Sequence, residues 1–145
     1  MIDTKIRGNL TEIEVLKAFM QLGYQVSIPF GEDCRYDLIA DINGKLLRIQ
    51  CKSCTAHFTD DGELDYLEFR TVRQSKHASS GWERTKYTAK EIDFFATSLY
   101  NECYLVPQNE CSQQKVLRFN PPKNNQKIGV NFAKDYTIEE VLKRL

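Results

Sequence analysis

Residues 35–53 read RYDLIADINGKLLRIQCKS. Two runs of β-forming residues flank Asn43-Gly44, the pair that a two-residue type I′ hairpin turn favours because both positions need positive φ. With that turn Ile42 faces Lys45, and counting outward in step places Asp37 directly opposite Gln50. Side chains alternate along a strand. One face of the hairpin therefore carries Tyr36, Leu38, Ala40, Leu47, Ile49 and Cys51, all suited to a core. The other carries Asp37, Ile39, Asp41, Leu46, Arg48, Gln50 and Lys52. Opposed residues have Cβ atoms ~5 Å apart and diagonal ones ~7–8 Å, so Asp37, Gln50 and Lys52 converge on one small volume.

That trio suits phosphodiester hydrolysis. A hard divalent cation such as Mg²⁺, for which Mn²⁺ can substitute, takes oxygen ligands and keeps several waters. Asp37 offers a charged ligand, the Gln50 carboxamide a neutral one, and the carbonyl of Cys51 a third. Lys52 is left to orient or deprotonate the attacking water and to offset charge growing on the phosphate. Mixed polar residues on an exposed sheet face are usually decoration. Here the reverse face is uniformly apolar and a helix bearing acids precedes the hairpin, which favours a site. Arg48 and Asp41 share the polar face, with solvent-facing salt bridges as their simpler use.

Outward from the hairpin, Ile13, Leu16, Phe19 and Met20 recur at helical spacing, so a helix is expected from about Thr11 to Leu22. Thr11 with Glu14 forms a capping box and Gly23 closes the helix. Tyr24 to Ile28 reads as a short strand. Beyond the hairpin, Leu64 to Val72 reads as a strand and residues 73–87 as a polar, basic loop. Thr88 with Glu91 opens a helical turn before strands at Phe94–Tyr100, Cys103–Val106 and Val116–Phe119. NPPKNNQK (120–127) is a loop, and Thr137 with Glu140 caps a last helix through Leu142. This order favours an α/β or α+β domain with a mixed central sheet, spanning residues 1–145 as one unit.

The order of three motifs resembles the PD-(D/E)XK nuclease superfamily: Gly8-x-x-x-Glu12 on the first helix, YDLIAD at 36–41 and IQCKS at 49–53. More narrowly, the Q-x-K variant in a short chain, with the tail YTAKEIDFFATSLYNECYLVP and LRFNPPKNNQKIGVNFA, is similar to intron-associated endonucleases of that superfamily, among them bacterial homing endonucleases of group I introns. The resemblance implies a restriction-endonuclease-like core, a mixed central sheet flanked by helices. It also implies a catalytic set of Glu12, Asp37, Gln50 and Lys52. Tyr36 stands at the position of the name-giving proline, and Gln50 replaces the commoner acid, removing one negative charge. Glu12 shares a helix face with Val15, Leu16 and Phe19, toward the sheet, whereas Glu14 has the capping role open to it, so Glu12 is favoured as the helix acid.

Composition is compatible with a nucleic-acid enzyme without proving one. Net charge is zero over 145 residues, but charge is segregated. From Arg70 to Lys90 there are six Lys or Arg against one acid, from Lys115 to Lys127 four and none, and the acids Asp60, Asp61, Glu63, Asp65 and Glu68 precede them. Arg70, Arg73, Gln74, Lys76, Arg84 and Lys86, interleaved with His77, Trp82 and Tyr87, are candidates for contacting phosphates and base edges of double-stranded DNA. A mobile solvated loop is the competing reading. His57 and His77 lack a nucleophile to pair with.

Five cysteines without a secreted spacing point to reduced thiols in a cytoplasm, and no stretch is apolar enough for a leader or a membrane span. Cutting both strands calls for a homo-oligomer, a dimer or tetramer, with the Phe- and Tyr-rich C-terminal half as the expected interface. Two rivals stay open. One is a structure-specific nuclease such as a Holliday junction resolvase, and the other is a catalytically silent DNA-binding module.

Overall fold

The computed structural model describes the backbone of residues 2–77 and 81–145, and the side chains of these apart from 74–77 and 81–84. In chain order the elements are α1 (Thr4–Gln21), β1 (Gln25–Ser27), β2 (Leu38–Ile42), β3 (Lys45–Cys51), β4 (Thr55–Phe58), β5 (Leu64–Arg70), β6 (Val72–His77), β7 (Gly81–Lys86), β8 (Phe94–Leu99), β9 (Glu102–Pro107), β10 (Gln114–Arg118) and α2 (Ile138–Leu142), with short 3₁₀ turns at Gln108–Glu110 and Ala133–Asp135.

The hairpin forms in the expected register. Ile42 pairs with Lys45 and Leu38 with Ile49, and Asn43 and Gly44 take φ of 54° and 95°. The Asp41 side chain accepts a hydrogen bond from the Gly44 amide at 2.7 Å, which stiffens the turn, so Asp41 serves the backbone here. Leu38, Ala40, Leu47, Ile49 and Cys51 are all buried, as the period-two pattern requires.

This hairpin is the middle of a five-stranded mixed sheet in the order β1-β2-β3-β8-β9. Only β3 and β8 run parallel, with Ile49, Gln50 and Cys51 beside Phe94, Phe95 and Ala96. That pairing buries β3 on both edges, and the sheet's apolar face receives Val15 and Phe19 of α1, both fully buried. Withdrawing each such side chain from water contributes ~1.5–3 kcal/mol. A second sheet, β10-β5-β4, and the hairpin β6-β7 complete the strands. The architecture is mixed α+β, as expected.

Three sequence expectations are corrected. First, α1 starts at Thr4, capped by the Asp3 carboxylate on the Lys5 amide at 2.9 Å. Thr11 lies mid-helix, where its hydroxyl donates to the Arg7 carbonyl one turn back at 3.1 Å, so no capping box forms with Glu14. The buried stripe is Thr11, Val15 and Phe19, while Ile13 and Met20 are 56% and 59% exposed. Second, much of the segment 73–87 is strand, the antiparallel pair β6-β7. Its polar composition hid a two-stranded ribbon, whose backbone bonds do not need apolar side chains. Third, the aromatic and aliphatic residues of the C-terminal half, including Phe94, Phe95, Tyr104, Leu105, Val106 and Tyr136, are core. Large exposed apolar side chains cluster instead on α1, at Ile6, Leu10, Ile13 and Met20.

Arg48, on the polar face, is a structural tie. Its guanidinium meets Asp93 at 3.0 Å and donates to the carbonyls of Ala89 and Lys90, closing the turn before β8. Burial pushes the Asp93 carboxyl up, yet the side-chain and backbone hydrogen bonds from Arg48 hold it below its ordinary value. Arg48→Met is expected to lower the unfolding free energy by about 1–2 kcal/mol, measured by denaturant titration, while leaving strand cleavage unchanged.

Candidate active site

Asp37 sits at the mouth of β2, one residue before the strand begins. Its amide donates to the Ile49 carbonyl at 2.8 Å, and its Oδ2 accepts from the Cys51 amide at 2.7 Å. The carboxylate thus takes the ladder position that a further β2 carbonyl would fill. A strand residue directs its N–H and C=O to the same edge. The Cys51 carbonyl therefore also opens past the end of β2, toward Asp37. The Cys51 thiol belongs to the core face, and burial raises it far above its ordinary value, so any ligand from this residue is its carbonyl.

Gln50 is half-buried, its Nε2 donating to the Cys51 carbonyl at 3.3 Å, and its amide oxygen has no hydrogen-bond partner among the described residues. Lys52 follows just beyond β3. Its Nζ donates to the Val72 carbonyl at 3.2 Å and lies 5.0 Å from the centre of the Tyr87 ring. Burial draws the Lys52 ammonium below its ordinary range; Asp37 opposes that shift, while Arg35 and Arg73 add to it.

Glu12 comes from the side of α1 next to the Val15–Phe19 stripe and meets Asp37. Its carboxyl is raised from 4.5 to about 7, first by burial, then by the charge of Asp37 and a hydrogen bond to it. Asp37 is itself raised by burial, against hydrogen bonds from Cys51 and Glu12 and the charge of Lys52. Each carboxyl is thus harder to ionise than an exposed acid, chiefly through burial, and the charge of Asp37 adds to the effect on Glu12. Among the described residues the Glu14 carboxyl has no hydrogen-bond partner, and its carbonyl accepts from the Cys103 thiol at 3.4 Å.

Two carboxylates, a carboxamide oxygen and a strand carbonyl converging on one volume fit a hard divalent cation. Among the described residues no group of three or more His, Cys, Asp or Glu side chains forms a metal cluster. The reason is chemical: beyond two acids, the donors here are an amide and the backbone.

The Glu12 shift predicts a pH dependence in protein stripped of metal. The native state holds a proton on Glu12 between pH 4.5 and about 7 that the unfolded chain has released. Stability is therefore full below the lower value and is lost as pH rises through about 7. Thermal melts in chelator should show the melting temperature falling across that window, and Glu12→Gln should flatten the slope. An unchanged slope in the variant would remove Glu12 from the pair.

The expected DNA-contacting residues divide. Arg70, Arg73 and Lys86 are exposed on β5, β6 and β7. Gln74, Lys76 and Arg84 have side chains outside those described, as do His77 and Trp82. Tyr87 turns inward, 7% exposed, with its ring edge-on to Phe95 at 5.4 Å. Two cations of the second basic segment are taken up internally, Lys115 against Glu110 and Arg118 against Asp65 at 2.8 Å, while Lys123 meets Asp60 only in an exposed surface pair. Pairing β10 with β5 brings the basic stretch onto part of the acidic one, so charge separated along the sequence is remixed in space. His57 is likewise taken up, bonded to Glu68 at 2.8 Å and stacked on Tyr66.

Sequence reasoning missed Arg35. It precedes Tyr36-Asp37 by one step, and its guanidinium lies over the Tyr87 ring at 4.3 Å. A cation beside the motif acid was the available signal.

Residues 2–139 match the family model described as PD-(D/E)XK endonuclease. The fold is similar to the solved structure of a bacterial homing endonuclease, I-Ssp6803I, with a TM-score of 0.76 and 19% sequence identity over 99% of this chain and 95% of that one. No curated protein sequence matches the chain. No helix among the described residues is long and apolar enough to cross a membrane.

Proposed function

Since the chain belongs to the PD-(D/E)XK endonuclease family, whose members generally use divalent metals, we propose that it is a Mg²⁺-dependent endonuclease that hydrolyses phosphodiester bonds in double-stranded DNA, of the site-specific homing type. The observation that carries this reading is the Asp37 carboxylate fixed on the Cys51 amide at 2.7 Å, beside the Cys51 carbonyl that the Gln50 side chain also reaches at 3.3 Å. Residues 1–145 act as one nuclease domain, and Mn²⁺ can replace Mg²⁺.

Glu12, Asp37, Gln50 and the Cys51 carbonyl would hold the cation. When bound, it supplies positive charge against the negative charge that develops on the phosphate oxygens. Asp37 is fixed by the Cys51 amide, so its free oxygen is oriented before substrate arrives. Lys52 acts on the water that attacks phosphorus. Its partly desolvated ammonium is nearer to the neutral amine than a solvated lysine is, which helps it accept the proton the water loses, and its charged form stabilises the phosphate. Arg70, Arg73 and Lys86 hold DNA phosphates, and Gln74, Lys76 and Arg84 of the β6-β7 ribbon contact the duplex.

One site cuts one strand, so the active species is a homo-oligomer, a dimer or tetramer, with two sites facing opposite strands. A cytoplasmic setting accords with five free cysteines.

Incubation with plasmid DNA should give cutting with Mg²⁺ or Mn²⁺ and none in chelator. A resolvase would prefer a four-way junction over plain duplex. A silent binding module would retain DNA without cutting it under any metal, and that result would end the enzymatic reading.

A further inference from the structure

We propose that the Tyr87 ring is a shared shelf holding both the Lys52 ammonium and the Arg35 guanidinium at the active site, and that Arg35 is thereby a further phosphate-binding cation for the DNA substrate. The proposal rests on the nuclease reading above and extends it to a residue outside the D…QxK motif.

The shelf is rigid. Tyr87 is buried, packs edge-on against Phe95, and has its carbonyl held by the Gln108 side chain at 2.9 Å. Phe95 lies on β8, next to Gln50 of β3, so the ring is referenced to the strand that carries the motif. Arg35 and Lys52 both fall within the ~6 Å at which a cation is attracted to an aromatic face.

A structural role alone leaves part of this arrangement unexplained. Arg35 does tie the loop before β2 to the end of β7 and the turn after it, through the Lys86 carbonyl at 3.4 Å and Glu91 at 2.6 Å. Such a tie could be made anywhere along that turn. Instead the guanidinium is drawn onto the ring that already carries Lys52, and exposed Arg73 lies on the strand that begins at Val72, whose carbonyl holds Lys52. Like charges gathered in a half-buried place oppose folding. Glu91 is the one acid that Arg35 contacts among the described residues, and its carboxylate is also engaged by the Thr88 amide and hydroxyl. The Arg35 Nε is buried without a hydrogen-bond partner among the described residues. An excess of cations beside a catalytic acid suits a polyanion, and a planar guanidinium suits phosphate oxygens.

Binding of a mixed-sequence DNA duplex, measured in Ca²⁺ over a range of salt, tests this. Removing one phosphate-binding cation should lower the slope of log affinity against log salt by ~0.9. Arg35→Gln is expected to show that decrease, whereas Glu91→Gln, which breaks the tie and leaves the charge, should keep the unaltered slope. In the unaltered protein, the duplex should protect Arg35, but not Arg144, from an arginine-selective dicarbonyl reagent, a measurement that decides the matter if Arg35→Gln does not fold. Equal slopes for Arg35→Gln and the unaltered chain, an equal decrease in Glu91→Gln, or no protection of Arg35 would overturn the proposal. Failure of the unaltered chain to bind the duplex would instead reject the nuclease reading beneath it.

Discussion

Asp37→Asn is expected to cut DNA at least ~10³-fold more slowly than the unaltered chain in single-turnover assays with Mg²⁺, the scale of losing one preorganised charge where the transition state needs it. The substitution is nearly isosteric. Its amide oxygen can still accept from the Cys51 amide, now held at 2.7 Å, so the mouth of β2 should stay closed and the fold intact. What disappears is the negative charge. Without it Glu12 loses the neighbour that raises its carboxyl, and metal affinity should drop with cleavage, which titration calorimetry with Mn²⁺ would register. DNA affinity measured in Ca²⁺ should fall far less than the rate, or even rise, because a repulsive charge has left the phosphate path. Equal cutting by both proteins would mean that the site is elsewhere.

Lys52→Met should lower the cleavage rate by ~10²–10³-fold, since general-base help and a cation at the phosphate are removed together. Methionine keeps the stem length and fills the space against Tyr87, which limits damage to packing. The half-buried lysine is held by one carbonyl and one aromatic ring. Removing its charge therefore relieves a desolvated cation, and the variant should melt no lower than the unaltered chain. Duplex affinity in Ca²⁺ should change by less than ~10-fold, because phosphate contacts made elsewhere dominate binding. A variant that cuts at full rate would leave Lys52 as a packing residue. One that fails to bind DNA at all would reassign it from chemistry to docking.

These two effects follow from a part of the molecule that is unusually legible. Asn43-Gly44 sets a two-residue turn, the turn sets the register from Ile42–Lys45 to Leu38–Ile49, and Asp37, one residue before β2, closes the ladder on the Cys51 amide. Each step spans only a few residues. The first helix is legible in kind and not in extent, because Thr11 and Glu14 satisfy a local capping pattern that Asp3 satisfies one helical stretch earlier. The β6-β7 ribbon reads as a loop because its sequence lacks the apolar alternation by which strands are recognised. Charge is the least transferable reading. Arg118 looks available to DNA from its sequence neighbours and is instead paired with Asp65, more than fifty positions away.

The turn chemistry and the period-two alternation of residues 35–53 by themselves determined the hairpin and its inner face, because those interactions act between near neighbours on the chain. Only the tertiary structure decided that Glu12 rather than Glu14 meets Asp37, that β8 lies parallel to β3, and that Tyr87 turns inward to carry Arg35 and Lys52. Those contacts join segments far apart in sequence. They are selected by how the apolar faces of α1, β3 and β8 fill one core, a condition on the whole chain that no local pattern encodes.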